Sequence, residues 1–365
     1  MEKPQSPPPK PPSVRGWRHS LGLGVLLLIA AAAGWVFERM GAPLPWMIGP
    51  LVVTAAIFMG PAPQITVPTR LRPVGQVVVA TQVGLAFSPE ALDLLLGFAP
   101  VIIGAALATG LCILAVSILV SHLTGQSVAQ TFLSSVPTSP VEAASMARAA
   151  GINPTPVIFS QTLRMAAVVL ILPFALYALD GWPDVHRQAV GFALPDPGHI
   201  LWLVAIGVAG ALLFRVLRVP NPNFLGPMAA AALLAVSGNG PVAYPPDILA
   251  LAQILLGTWL GATFRREFMT SALRLTLISA GSSLLLLLLC SLSAVAIAIV
   301  SGVDWQTMVL GSAPGGVVEM ALTARFLGQN VVLITTFHLV RIFIIMPNIP
   351  WIVRLLARYE RRKTG

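Results

Sequence analysis

The chain has 365 residues, of which 56% are hydrophobic and only 10% are charged. Soluble globular chains carry about 25% charged residues, so this composition excludes a soluble protein and predicts an integral membrane protein. The net charge of +9 would suit a nucleic-acid binder, but its basic residues cluster before the first apolar run and after the last one. This placement is typical of cytoplasmic anchors, so we expect no direct contact with nucleic acid.

The predicted elements fall into two similar halves. A Pro-rich cytoplasmic tail at 1–19 is expected to be disordered, a linker outside the cytoplasm covers 181–198, and a basic cytoplasmic tail covers 354–365. The first membrane repeat, 20–180, has predicted spans at about 20–38, 43–60, 72–88, 97–120 and 156–179, with an interrupted stretch at about 127–151. The second, 199–353, has them at about 199–217, 222–238, 247–264, 275–300 and 330–350, interrupted at about 304–328.

A single shift of 177 residues, Pro314 minus Pro137, aligns the two halves without a gap. The aligned pairs include Gln76 with Gln253, Glu142 with Glu319, and Arg164 with Arg341. Counting five spans per repeat places the Arg and Lys clusters on one side of the membrane, and an odd number inverts the second repeat. The expected fold is therefore an all-α integral membrane protein with about ten transmembrane helices, arranged as two inverted five-helix repeats.

Each repeat is expected to contain a re-entrant or broken-helix hairpin, and the sequence leaves open whether the interrupted stretch re-enters or spans. Both termini are expected in the cytoplasm, with the protein in the inner (cytoplasmic) membrane.

The interrupted stretches carry Glu142 and Glu319, the carboxylates expected at membrane depth. Such a group costs at least ~2.5–3.5 kcal/mol on insertion scales, so it should be paired, protonated or in contact with water. One interpretation is a proton or cation relay. The alternative is a structural ion pair with Arg148, Arg164 or one of the repeat-equivalent arginines.

The backbone around each Glu favours a break in the helix, since Pro137 and Pro140 remove amide donors and the glycines of the second repeat are conformationally free. A short helix is predicted to begin near Val141 and again near Val317, with its amide groups directed at a cavity. Together with nearby hydroxyl groups, this predicts a site for an anionic group; the alternative is a self-capped turn without a ligand.

Polar residues on neighbouring helices extend the predicted site. Gln161 lies three residues before Arg164, and His338 three before Arg341, so each pair shares a helix face. His338 could titrate, or it could be a neutral ring bonded to a hairpin carbonyl, and the arginines could bind an anion or brace a Glu. Gln76 and Gln253 either line the pathway or join helices. The predicted substrate- or ion-binding set is Ser135, Thr138, Ser139, Glu142, Gln161, Arg164, Ser312, Gly315, Gly316, Glu319, His338, Arg341, Gln76 and Gln253.

The paired signatures beginning at Pro45 and Pro222, together with the repeated Ser-x-Pro-x-x-x-Val-Glu hairpin, resemble the membrane AbrB-duplication family over about residues 20–358. This family is distinct from the small DNA-binding AbrB proteins. Its relatives carry labels such as transcriptional regulator and ammonia monooxygenase. The five histidines are scattered and the cysteines lie in apolar runs, so we expect no metal, no cofactor and no catalytic residues.

The expected function is a secondary transporter or permease for a small anionic organic solute, with proton coupling left open. The alternative is a membrane-embedded sensor or regulator that acts indirectly on gene expression without net transport. The expected partners are a small-molecule solute and the lipid bilayer, and a homo-oligomer remains open.

Overall fold

A computed structural model describes residues 16–60, 65–179, 197–238, 243–264 and 273–364. The predicted tail at 1–19 and the linker at 181–198 lie almost entirely outside these ranges. The described elements are helical: α1 Gly16–Arg39, α2 Pro45–Met59, α3 Leu71–Gly84, α4 Pro89–Gly97, α5 Ala99–Thr124, α6 Val128–Ser135, α7 Pro140–Ala149, α8 Pro154–Leu179, α9 Pro197–Val216, α10 Pro222–Val236, α11 Pro246–Gly261, α12 Leu273–Ser301, α13 Trp305–Ser312, α14 Val317–Phe326, α15 Val331–Ile345, a 3₁₀ turn Met346–Asn348, and α16 Ile349–Thr364.

The duplication in the sequence is also a duplication of backbone geometry. Helices α2, α6 and α7 match α10, α13 and α14 at the 177-residue shift at both ends. The cap residues repeat as well: Leu44 and Asn221 are both left-handed, with φ of 45° and 49°, and Gly125 and Gly302 have φ of 71° and 70°. Equivalent sequence has therefore produced equivalent local structure in both halves.

The predicted span at 72–88 is wrong at its end. Helix α3 stops at Gly84, and the separate helix α4 follows at an angle of 90°. The new helix begins here because Ser88 caps it, its Oγ accepting from the amide of Ala91 at 3.2 Å, and because Pro89 occupies the first helical position.

The helix lengths show a multi-pass membrane protein. Among the described residues, six helical stretches are long and apolar enough to cross a bilayer, or seven if α3 and α4 form one bent span. The six are α1, α5, α8, α9, α12 and the α15–α16 stretch Val331–Arg358. Helices α2, α10 and α11 are apolar but shorter.

The first group of helices consists of α1–α3 and α9–α11, and it interlocks the two repeats. Helix α3 of the first repeat packs on α10 of the second, while α11 packs on α2. A Cβ added at Gly261 would lie 2.6 Å from the Leu51 carbonyl oxygen, and one at Gly84 would overlap the carbonyl oxygen of Met228, the repeat equivalent of Leu51. Glycine at both positions permits this close backbone approach.

The second group consists of α5–α8 and α12–α16. Helices α5 and α12 cross where Cys112 Sγ lies 3.8 Å from Ser293 Oγ. Ile102, earlier in α5, packs in the same buried cluster as Ala298, later in α12. Val120, later in α5, belongs to a different buried cluster together with Leu286 and Cys290, earlier in α12. This order of the two clusters favours an antiparallel crossing of the two equivalent helices.

The interrupted stretches are hairpins whose two ends lie together. In α13–α14, Thr307 Oγ1 donates to Gln329 Oε1 at 2.9 Å, and Gln329 Nε2 donates to Gln306 Oε1. These bonds join the start of α13 to the segment after α14. In the first hairpin the equivalents of Gln306 and Gln329, Ala129 and Ile152, belong to one apolar cluster. The second hairpin is thus closed by polar contacts and the first by apolar packing.

Candidate functional site

The tips of both hairpins meet at one cavity of about 280 Å³ between the two groups of helices. The first group contributes α3, the start of α10 and the end of α11, and the second contributes both hairpins, α8 and α15. The polar and charged residues that line the cavity are Thr69, Arg72, Gln76, Thr138, Ser139, Glu142, Arg164, Asn221, Asn223, Glu319 and Arg341. The structure therefore brings together both carboxylates and both arginines of the predicted set.

In the first hairpin, Glu142 completes a self-capped turn. The Ser139 side chain caps α7 by accepting from the amide of Glu142 at 3.2 Å. In return, Glu142 Oε2 accepts from Thr138 Oγ1 at 2.9 Å, from Ser139 Oγ at 2.8 Å and from the Ser139 amide at 3.2 Å. This reciprocal capping satisfies donors at the helix start and fixes the carboxylate in place.

The second hairpin lacks this cap, because Gly315 and Gly316 stand where Thr138 and Ser139 stand in the first. Gly316 is the N-cap of α14 and provides no side-chain hydrogen bond. A Cβ at this position would overlap the Glu319 carboxylate, which occupies the space that a serine would fill. The start of α14 therefore faces the cavity with backbone amides that no N-cap side chain satisfies, and the buried Glu319 carboxylate lies against this positive end of the helix dipole.

Arg164 holds the tip of the first hairpin. Its Nη1 donates to the carbonyl oxygens of Ser135 and Val136, the latter at 3.0 Å, and its Nη2 donates to Gln161 Oε1 at 2.6 Å. Gln161 in turn donates from Nε2 to the Val136 carbonyl at 2.8 Å. The carbonyls at the end of a helix lack intrahelical partners, and here a cation satisfies them at the negative end of the α6 dipole.

Arg341 holds the second tip in the same way. Its Nη1 donates to the Ala313 carbonyl at 2.5 Å and its Nη2 to the Gly315 carbonyl at 3.1 Å. The same Nη2 lies 2.8 Å from His338 Nδ1, while His338 Nε2 lies 2.9 Å from the Leu310 carbonyl. The ring accepts at one nitrogen and donates at the other, which is the pattern of a neutral histidine.

This arrangement bears on two sequence-based alternatives. His338 matches the neutral histidine bonded to a hairpin carbonyl, rather than a titrating group. The arginines bond to hairpin carbonyls, a role that the sequence did not suggest. Both Arg164 and Arg341 line the cavity, and within the described ranges the Nε of each has no hydrogen-bond partner.

Some predicted residues lie outside the cavity lining. Ser135, Gln161, Ser312 and His338 are buried behind the hairpin tips. Gln253 is partly exposed on α11 and does not line the cavity, although its repeat partner Gln76 does. The cavity contacts α11 near its C-terminal end, at Trp259, so Gln76 reaches the cavity and Gln253 does not.

Sequence reasoning missed Arg72, which is absent from the predicted binding set. Its guanidinium carbon lies 4.5 Å from the centre of the Trp259 ring, and both residues line the cavity. Arg72 precedes Gln76 by four residues, so the two share a face of α3. The four-residue spacing between Arg72 and Gln76 is the sequence signal that could have identified Arg72 as a site residue. Nothing in the sequence indicated that Trp259 lies opposite Arg72.

A second cavity of about 340 Å³ lies further along the same interface. Its lining includes Val79 and Val83 on α3 and Ala321, Leu322 and Arg325 on α14. The first cavity contacts earlier residues of both helices. Packing between α3 and α14 therefore separates the two cavities.

Comparison with known sequences identifies the family. The family described as "Transition state regulatory protein AbrB" matches residues 1–180 and again 141–357. The chain belongs to the AbrB family. The double match reflects the internal duplication of this AbrB-family protein.

Two curated relatives resemble the chain. "Uncharacterized protein YhjN" of Bacillus subtilis (strain 168) is 26% identical over 369 residues, covering 92% of this chain and 94% of the relative. "Putative regulator AbrB" of Escherichia coli (strain K12) is 26% identical over 211 residues, covering 57% of this chain and 60% of the relative.

Proposed function

We propose that the chain crosses the membrane ten times, as two inverted five-helix repeats with re-entrant hairpins. The long helical stretches supply six spans, and α2, α3, α10 and α11 supply the other four. The antiparallel course of α5 and α12 supports inversion. The hydrogen bonds that join Gln329 to the start of α13 support a hairpin that returns to the side it entered.

In this topology both termini are cytoplasmic, because Arg70, Arg215 and the basic residues of α16 then lie on the same side. Cysteine labelling with a membrane-impermeant maleimide tests it. A cysteine at Thr270 should react only from the cytoplasmic side, and one at Gly181 only from the opposite side. Reaction of the Thr270 cysteine from outside would contradict the inverted arrangement.

Within this topology, the function we propose is secondary transport of a small anionic organic solute. The observation that carries the proposal is the single cavity at which two hairpin tips, an uncapped helix start and three guanidinium groups meet between two groups of helices. Its volume of about 280 Å³ is near the lower end of the ~300–1,000 Å³ of ligand pockets, which favours a small solute. Inverted repeats with broken helices at a central cavity are typical of secondary transporters.

The second cavity supports a transport pathway. The two cavities lie at successive positions along one interface, with α3 and α14 packed between them. Movement of the second hairpin relative to α3 would open one cavity to the other. Alternating access of this kind requires one set of helices to move against another that stays in place. The first group of helices, in which the two repeats pack closely on each other, is suited to stay in place while the second hairpin moves.

Proton coupling would involve Glu319, which is buried and lacks the hydroxyl groups that hold Glu142. A carboxylate in this position can gain a proton on one side of the membrane and lose it on the other. We propose Glu319 as the coupling group, with Glu142 as the structural counterpart.

Uptake into proteoliposomes tests transport and coupling together. Radiolabelled lactate, succinate and citrate would be offered with and without an inward proton gradient. We expect at least one to accumulate, with the gradient increasing the rate in the wild type but not in Glu319→Gln. Absence of protein-dependent uptake of all three would contradict the proposal.

A sensor function is the second candidate, because the Escherichia coli relative bears the name "Putative regulator AbrB". The same cavity could bind a solute without passing it across the membrane. Saturable binding of a carboxylate to the purified protein, without flux in proteoliposomes, would favour this candidate.

A further inference from the structure

The three guanidinium groups that line the cavity are not equivalent. Arg164 and Arg341 are 2% exposed, and each donates to backbone carbonyls at the end of a broken helix. Removing these bonds to bind a ligand would leave buried carbonyls without partners, which is costly. Both arginines therefore serve mainly to hold the hairpin tips.

Arg72 differs in position and in contacts. It comes from α3 of the first helix group and faces the hairpins across the cavity. Its side chain is partly buried, and its guanidinium group stacks on the Trp259 ring. Stacking covers the flat face of a guanidinium and leaves the N–H donors at its edge available for bidentate bonding to a carboxylate.

The charges in the cavity favour an anionic ligand near this residue. With all groups ionised, the three arginines and two glutamates give the cavity lining a net charge of +1. Arg72 shares the lining of this cavity with both Glu142 and Glu319. Because Glu142 is held by its own hydroxyl cap, a ligand carboxylate would compete mainly with Glu319 for Arg72.

We propose that Arg72, positioned by Trp259, is the residue that binds the carboxylate of the solute and determines the preference for anions. The proposal rests on the proposed transport function and assigns its substrate class. It also places the solute between the two helix groups, with Arg72 on one side and the start of α14 on the other, so that movement of the hairpin would act on the bound solute.

Thermal unfolding of the full-length protein in detergent tests this assignment. The probes are lactate, succinate and citrate, with sodium chloride at matched ionic strength as the reference. The variants are Arg72→Gln, Arg72→Lys and Trp259→Leu, and the matched control is Arg70→Gln, which removes an exposed arginine two residues away.

We expect at least one carboxylate to raise the melting temperature of the wild type and of Arg70→Gln in a saturable manner. Loss of a charge-assisted bidentate contact should weaken the apparent affinity of Arg72→Gln by about tenfold to a hundredfold. Arg72→Lys should recover part of this loss, since lysine retains the charge but not the fork geometry. Trp259→Leu should weaken binding while leaving the charges of all three cavity arginines intact.

Equal affinity in the wild type and Arg72→Gln would overturn the assignment while leaving transport through the cavity standing. Should Arg72→Gln fail to fold, unchanged affinity in both Arg72→Lys and Trp259→Leu would overturn it instead. If none of the three carboxylates stabilises the wild type, the proposed substrate class is wrong. Uptake of citrate, succinate or lactate that is equal in the wild type and in Arg72→Gln would leave the proposed transport standing and overturn only the assignment of Arg72.

Discussion

Replacement of Arg341 by methionine tests whether this residue holds the second hairpin. Methionine keeps much of the side-chain volume but removes every donor. The change leaves the carbonyls of Ala313 and Gly315 and the Nδ1 of His338 without their present partner in a site where Arg341 is 2% exposed. Hydrogen bonds to a charged group contribute about 1.5–3 kcal/mol each, and an unsatisfied buried acceptor costs about 1–3 kcal/mol.

These contributions do not add fully, and removing a buried charge recovers part of its desolvation cost. We therefore expect the free energy of unfolding to fall by about 2–5 kcal/mol. The assay is unfolding by SDS titration in mixed micelles, followed by circular dichroism. The matched control is Arg325→Met, an exposed arginine at the end of the same hairpin, for which a change within about 0.5 kcal/mol is expected. A loss below about 1 kcal/mol for Arg341→Met would refute the bracing role.

Two further predictions concern the pair of glutamates at the cavity and the close packing of α1 on α2. Glu319→Gln should abolish pH-dependent uptake without loss of folded protein. Glu142→Gln should retain more uptake, because Ser139 remains the N-cap and the glutamine amide oxygen can keep the capping-box hydrogen bonds; the reverse order in the uptake assay would contradict this assignment. Gly49→Ala should lower the free energy of unfolding by about 1–3 kcal/mol, because the new Cβ would lie 2.7 Å from the backbone of α1. Gly24→Ala is the control: Gly24 has open space around it, so this change should leave the midpoint of SDS unfolding unchanged or raise it.

The sequence by itself determined the membrane class, the duplication and the positions of the broken helices. Low charge content and long apolar runs do not depend on tertiary contacts, and a 177-residue shift is visible in the letters alone. Prolines at 137 and 140 and glycines at 315 and 316 act on the local backbone, so the helices began at Pro140 and Val317, within one residue of the predicted starts.

The tertiary structure decided the partners of these groups. Periodicity gives the face of a helix on which Arg164 or Arg72 lies, but it does not give the element opposite that face. Arg164 contacts carbonyls 28 and 29 residues away, and Arg72 stacks on a tryptophan in the other repeat. Such pairs depend on how the two repeats interlock, and close packing of α3 on α10 and of α11 on α2 fixes that arrangement. The division between the arginines that hold the hairpins and the arginine that stacks on Trp259 is therefore a property of the packed chain.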